Sequence, residues 1–334
     1  MRAFLGLILG FSLLFGSAFI TTEEKLSTLY NTKISPAFDK VKLQYFTTPD
    51  GLKIAYKIFR VPHAKANIVI SSGRTESMVK YKELVYDLMQ NGYSVYILDH
   101  RGQGFSFRTL ANPQIGHVEN FYDYVDDLKF FVENFVPKKP KCILLAHSMG
   151  GAIASLYVEQ YRDDFDALVL SSPMHEPLVL REGITSRVCS SLQERQKNLH
   201  EFVLGTAKSD ILETTFEQND LTHSKIRFEI MQKEYAKNPA IRIGGMSKQW
   251  LREACKWSRK SQEMAHKIKI PVLLFEAEND TAVTARGHYN FCSRVKQCSL
   301  VHIRGAYHEL FIEKDRIRKE VLEEILSFIA KIES

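Results

Sequence analysis

The chain has 334 residues, of which 45% are apolar and 25% charged, and a net charge of +6. That apolar mass can bury one large core, or one core carrying a sizeable insertion. The charge surplus is mild and no Lys/Arg block or basic–aromatic interleaving occurs, so an anionic surface is a compatible partner and nucleic acid is not an expected one.

Arg2 is followed by an uncharged stretch over 3–20, then by polar Thr21-Thr22-Glu23-Glu24-Lys25. A short positive start, an apolar run and the small-residue exit Gly16-Ser17-Ala18 predict a secretory signal peptide cut after Ala18. The run also just reaches across hydrocarbon, so residues 1–20 fit an uncleaved membrane anchor as well. Either reading places the body beyond the inner membrane, periplasmic or membrane-associated. The five cysteines show no metal-type spacing and no disulfide framework follows from an odd count. Cys142 reads as a small buried hydrophobe. A single bridge, Cys292 to Cys298, fits an exported protein.

Past the leader, residues 41–46 and 52–59 predict two strands around the turn Pro49-Asp50-Gly51. Residues 66–71 form a short β-branched run, hence a buried strand, and 81–89 has helical spacing with Leu84, Val85, Leu88 and Met89 on one face. A strand over 93–98 leads into Asp99-His100-Arg101-Gly102-Gln103-Gly104, and 122–136 predicts a helix. The apolar run Cys142-Ile143-Leu144-Leu145 then enters Ala146-His147-Ser148-Met149-Gly150-Gly151, followed by a helical stretch. A serine between strand and helix, with small residues two positions either side, is the pattern of a nucleophile elbow. His147 reads as a packing residue under that turn.

After a strand over 167–170 the rhythm stops. From about 173 to 269 only helical patterns rich in charge occur, and between Arg181 and Lys267 Lys/Arg outnumber Asp/Glu by 16 to 11. The rhythm resumes with a strand over 270–276, a helix near 286–295, a strand over 300–303 and an amphipathic helix over 315–332. Strands alternating with helices predict a mostly parallel sheet covered on both faces, the α/β-hydrolase fold. The expected organisation is a core of residues 40–172 and 270–332, with 173–269 inserted as a helical cap over the site.

In that fold the catalytic groups follow in the order Ser, acid, His. The acid belongs just past the strand after the cap, where Glu276-Ala277-Glu278-Asn279-Asp280 makes Asp280 the best candidate and Glu276 and Glu278 its competitors. The base belongs after the last strand, where His308 sits in the loop Arg304-Gly305-Ala306-Tyr307-His308-Glu309, while His302 lies inside the strand. The N–H of Met149, at the start of the helix after the serine, supplies one oxyanion donor. The N–H of Arg74, in the loop Ser72-Gly73-Arg74-Thr75-Glu76-Ser77, supplies the second. The side chains of Arg74 and Glu76 either pair to fix that loop or contact substrate. Gly102-Gln103-Gly104 lacks the third glycine of a dinucleotide loop and reads as a turn, so neither a nucleotide cofactor nor a metal is expected.

Several of these segments resemble the lysophospholipase L2 proteins of Gram-negative bacteria, a group within the monoacylglycerol-lipase-like, S33-type α/β-hydrolases. The matching residues are Gly73-Arg74-Thr75-Glu76-Ser77 with Val79-Lys80-Tyr81, Asp99 to Gly104, Gly116-His117-Val118, and Asp123-Tyr124-Val125-Asp126-Asp127-Leu128. The elbow, Leu221-Thr222-His223-Ser224, Ile241-Arg242-Ile243-Gly244-Gly245, Gly305 to Glu309 and Glu313-Lys314-Asp315 complete the set. The resemblance runs from roughly residue 40 to 330. It implies hydrolysis of the remaining acyl ester of lysophospholipids, at or near the inner membrane, with the family's Ser, Asp and His at Ser148, Asp280 and His308. It also implies that Ala is ordinary at position 146, where the general elbow pattern has Gly.

The expected chemistry is an acyl-enzyme on Ser148, with a small acyl ester as substrate and the cap's positive surplus facing a phosphate headgroup or bilayer surface. The cap's apolar faces are expected to receive the acyl chain. Alternatives are a monoacylglycerol lipase or other esterase, and a proline-releasing aminopeptidase of the S33 type. A non-catalytic lipid-binding relative is disfavoured by the intact Ser148, Asp280 and His308.

Overall fold

The computed structural model describes residues 18–178, 187–192, 197–203, 205–206 and 211–333. The predicted leader therefore lies almost wholly outside the described residues. Among the described residues, no helix is long and apolar enough to cross a membrane.

Eight strands form one sheet: β1 (Gln44–Thr47), β2 (Lys53–Phe59), β3 (Asn67–Ser71), β4 (Ser94–Leu98), β5 (Cys142–His147), β6 (Ala167–Ser171), β7 (Val272–Ala277) and β8 (Cys298–Ile303). Their spatial order is β1-β2-β4-β3-β5-β6-β7-β8. The β1–β2 and β2–β4 pairs are antiparallel and all later pairs are parallel. Strands β3 to β7 are buried along their whole length, whereas edge strand β8 is mostly part-exposed. Continuous burial is what a parallel sheet covered on both faces imposes. Strand side chains alternate, so neighbours serve opposite cores. Val69, Leu144, Ala146 and Leu170 join one apolar cluster, and Ile68, Ile70, Ile143, Leu145 and Val169 the other.

The helices are α1 (Glu23–Leu29), α2 (Ser35–Lys40), α3 (Lys82–Gln90), α4 (Tyr122–Phe135), α5 (Met149–Gln160), α6 (Lys225–Lys237), α7 (Lys248–Met264), α8 (Ala285–Cys292) and α9 (Asp315–Glu333). The first cluster gathers residues of α4, α5 and α7, and the second gathers α3, α6 and α9. Helices α1 and α2, joined by a π-helical turn over Tyr30–Ile34, carry no counterpart in the sequence reading. Their apolar residues Leu26, Tyr30 and Ile34 form a small cluster with Tyr86, Ile226 and Ile230. Leu26, Leu29, Tyr30, Ile34 and Phe38 recur at helical spacing, so the signal for these helices was present in the sequence.

Between β6 and β7 the inserted residues carry α6 and α7, and their apolar faces differ in role from the expectation. Trp250, Leu251 and Ala254 of α7 pack into the first core cluster, and Phe228, Met231 and Tyr235 of α6 into the second. The apolar stripes thus mainly close the protein's own core, and little of them is left for an acyl chain. Cys292 pairs with Cys298, the one bridge the sequence reading allowed, and Cys189 pairs with Cys255, a bridge the spacing did not suggest. Cys142 is free and buried.

One buried ionic knot joins the insertion to the body. The fully buried Arg227 of α6 donates to Glu83 of α3 at 3.0 Å, to the Glu313 carbonyl at 2.7 Å and to the Thr21 carbonyl at 3.1 Å. It also reaches Asp315 of α9 at 2.9 Å. Arg318 bonds the same Thr21 carbonyl at 3.3 Å and pairs with Asp87 at 2.7 Å, while the Thr21 hydroxyl donates to Asp87 at 2.6 Å. Thr21 and the chain beside it are therefore tied to α3, α6 and α9 together. Breaking a buried pair leaves an uncompensated charge and costs about 3–5 kcal/mol. Arg227→Leu should lower unfolding stability by about that amount in denaturant titrations, and a change under 1 kcal/mol would contradict the role given to the knot.

Candidate active site

The β5–α5 junction holds Ser148 at φ 51°, ψ −119°, a left-handed backbone that raises the hydroxyl above the sheet. Neighbouring positions must be small for the turn to close. A Cβ at Gly150 would lie 2.2 Å from the Ser71 carbonyl oxygen, and one at Gly151 would lie 2.5 Å from Pro173. Ala146 sits fully buried without such a collision, so a methyl group is accommodated at that position. The Met149 N–H heads α5, where no preceding turn can accept it.

Ser148 Oγ lies 2.9 Å from His308 Nε2, and His308 Nδ1 lies 2.7 Å from Asp280 Oδ2. The other oxygen of Asp280 accepts the N–H groups of Ala282 at 2.8 Å and Val283 at 3.0 Å, which fixes the carboxylate's direction. Its competitors are engaged elsewhere: Glu276 faces His302 at 3.3 Å and Glu278 accepts the Gly305 N–H at 2.6 Å. Burial and the neighbours of Asp280 act in opposition. Burial raises a carboxyl pKa, but His308 and the two N–H donors outweigh it and hold Asp280 below the ordinary range. Burial likewise disfavours a charged His308, yet the Asp280 carboxylate and its hydrogen bond raise the imidazole above its usual 6.5, helped by Glu309 and opposed by Lys80.

The loop after β3 carries Arg74 and is set by polar contacts. The Gly73 N–H donates to Glu76 at 2.5 Å, the Gln103 amide donates to the Gly73 carbonyl at 2.7 Å, and the Tyr235 hydroxyl donates to the Thr75 carbonyl at 3.1 Å. Gly102-Gln103-Gly104 is a turn, with positive φ at both glycines, and it also braces this loop. The Arg74–Glu76 ion pair does not form. Glu76 instead binds Lys80 and the Tyr81 hydroxyl.

Beside the serine lies a buried cluster that sequence reading missed. Lys80 pairs with Glu76 and with Glu309 at 2.6 Å, and Glu309 also faces His147 Nε2 at 3.2 Å. His147 Nδ1 lies 3.1 Å from the Ser171 carbonyl, and its ring centroid is 4.8 Å from that of His308. His147 is therefore a polar partner and not merely a packing residue. Each member adjoins a reacting segment: Glu76 the loop of Arg74, His147 the serine, Glu309 the histidine. Adjacency in sequence to Ser148 and His308 was the available signal. The insertion braces the same histidine loop from outside. Buried Glu313 accepts the Tyr307 N–H at 3.0 Å and His223 Nδ1 at 2.7 Å, while His223 stacks on Tyr307 with centroids 3.8 Å apart.

A cavity of about 190 Å³ opens over the serine, lined among others by Arg74, Ser148, Ile211, Met231, Arg242 and His308. A larger cavity of about 580 Å³ lies by the Cys189–Cys255 bridge, and its lining includes neither Ser148 nor His308.

A mostly parallel sheet with a strained serine at a strand–helix junction, hydrogen-bonded to a histidine and through it to an aspartate, defines a serine hydrolase of the α/β-hydrolase class. Residues 62–315 match the family described as Serine aminopeptidase, S33. The chain is 38% identical to lysophospholipase L2 of Escherichia coli K12 over 293 residues, covering 85% of this chain and 86% of that protein. It is 31% identical to the probable lysophospholipase L2 of Haemophilus influenzae, covering 89% and 95%, and 27% identical to human monoglyceride lipase, covering 80% and 83%. A soluble variant of Saccharomyces cerevisiae monoglyceride lipase shares the fold with a TM-score of 0.68 at 19% identity, covering 87% of this chain and 96% of that one. The chain belongs to the lysophospholipase L2 family and is a serine ester hydrolase.

The histidine must be neutral to accept a proton, so activity should rise with pH through an acid limb set by its elevated pKa. The acid limb of kcat/KM should therefore lie above pH 6.5. Asp280→Asn should move that limb to lower pH and slow turnover by about 10⁴-fold. A limb that stays in place would show that Asp280 does not govern the proton affinity of His308.

Proposed function

We propose that this hydrolase is a lysophospholipase acting through an acyl-enzyme on Ser148. Ser148 Oγ attacks the acyl carbonyl as His308 Nε2 takes its proton, and Asp280 holds the resulting imidazolium. The N–H groups of Arg74 and Met149 receive the oxyanion. His308 then passes the proton to the departing glycerol oxygen. Water, deprotonated by the same nitrogen, releases the fatty acid and restores the serine. The observation that carries this reading is the continuous relay from Asp280 through His308 to Ser148, with links of 2.7 and 2.9 Å.

Two features favour a lipid ester over a peptide amine. Apolar Ile211, Leu221, Met231 and Ile243 line the cavity, and its two carboxylates, Glu76 and Glu309, are taken up by Lys80 and His147. A free N-terminal amine would need an unneutralised carboxylate there. The small cavity suits the ester end of the substrate, with the tail extending outward, as an enzyme working at a bilayer surface would have it.

We also propose that the body is exported or held at the outer face of the inner membrane. Two disulfides account for four of the five cysteines, an arrangement that persists in oxidising compartments. The fold engages the chain immediately past the predicted exit, where the Phe19 N–H donates to Asn91 at 3.0 Å. Lysophosphatidylethanolamine hydrolysis should be found in the periplasmic or membrane fraction and vanish in Ser148→Ala, a loss of about 10⁶-fold in kcat. Turnover persisting in the purified variant would refute the nucleophile, and activity confined to the cytosol would refute the location.

A further inference from the structure

Arg74 poses a physical problem that its backbone role does not solve. Its side chain is part-buried and its Nη1 is sealed from solvent without a hydrogen-bond partner. The guanidinium carbon stands 5.5 Å from the centre of the Trp250 ring, and Gly116 lies beside Nη1. Among the described residues no carboxylate is paired with it. The two carboxylates lining the same cavity are already committed to Lys80 and His147. Burial depresses its pKa to about 10, which leaves it charged at neutral pH. A cation whose Nη1 is sealed and unpaired, with no counter-anion among the described residues, is costly, and native proteins pair such charges or use them on a ligand.

The location identifies the ligand. Arg74 lines the cavity that contains Ser148 and His308, and Arg242 contributes a second cationic side chain to that lining. In a lysophospholipid, the ester carbonyl and the phosphate sit at opposite ends of a glycerol unit, about the reach of an arginine side chain. A guanidinium fork matches phosphate oxygens in a way that a hydroxyl headgroup cannot exploit. We propose that the Arg74 side chain binds the phosphodiester of the substrate headgroup, so that one residue serves the oxyanion through its N–H and the headgroup through its guanidinium. This rests on the lysophospholipase reading and adds to it a residue that distinguishes phospholipid from neutral glyceride.

The test compares kcat/KM for lysophosphatidylethanolamine and for a monoacylglycerol of the same chain, in wild type, Arg74→Gln and Arg74→Lys. A hydrogen-bonded charge contributes about 1.5–3 kcal/mol, so the phospholipid-to-glyceride ratio should fall about 10- to 100-fold in Arg74→Gln. Arg74→Lys should recover part of it. The ratio is the readout because a change at this loop also affects the oxyanion donor, which acts on both substrates. An unchanged ratio in folded Arg74→Gln overturns the assignment.

A second measurement needs no variant. Glycerophosphoethanolamine at millimolar concentration should inhibit monoacylglycerol hydrolysis by the wild-type enzyme competitively, and more strongly than inorganic phosphate. No inhibition, or equal inhibition by inorganic phosphate, overturns the headgroup site. Wild type that hydrolyses the glyceride but not the lysophospholipid would instead sink the proposed function, an outcome separate from either of these.

Discussion

A lysine sealed between two glutamates beside the nucleophile is the constraint on which the site depends. Lys80 pairs with both Glu76 and Glu309 where little water reaches it. Burial opposes charge on both partners. Lys80 is nevertheless held above the ordinary lysine value by the two carboxylates, and Glu309 well below the ordinary carboxylate range by Lys80 and His147. Because these groups adjoin three separate loops, satisfying their charges brings the loops into one place. The distances between Ser148, His308 and the Arg74 loop are thereby inherited from an electrostatic requirement in the cavity wall beside them.

The sheet supplies the other half of the geometry. The β3, β5, β6, β7 and β8 strands run parallel, so their carboxyl ends, and the loops that follow, share one edge. Ser148 follows β5, Asp280 follows β7 and His308 follows β8. The insertion is part of this construction and does not simply lie over it. Its helices fill both core clusters, its Thr222-His223-Ser224 stretch grips Glu313 and the Thr21 segment, and its Arg227 anchors a knot reaching α3 and α9. The same inserted stretch thus lines the cavity over Ser148 and closes the core.

Much was legible from sequence because it depends on local rules. Period-two and period-3.6 patterns located the strands and the helices α3, α4, α5, α8 and α9 within a few residues, whereas α6 and α7 were expected only as unplaced helical pattern within 173–269. The elbow was visible because steric crowding restricts positions 146, 150 and 151 to small side chains. Asp280 and His308 were reachable by chain order in a hydrolase fold. What escaped was non-local. The Cys189–Cys255 bridge joins residues 66 apart, the Lys80 cluster draws on three loops, and α1 packs on a helix about 200 positions later. Gln103 read as turn filler, and its amide instead holds the Gly73 carbonyl.

By itself the amino-acid sequence determined the fold class, the nucleophile turn and the order in which its partners arrive, since each follows from patterning or sterics within a short window. Tertiary structure alone decided which carboxylate meets His308, where the insertion's apolar faces go and that Arg74 meets no carboxylate among the described residues. Those outcomes are settled by burial. A charge's fate depends on what else is sealed in with it, and no stretch of sequence carries that information.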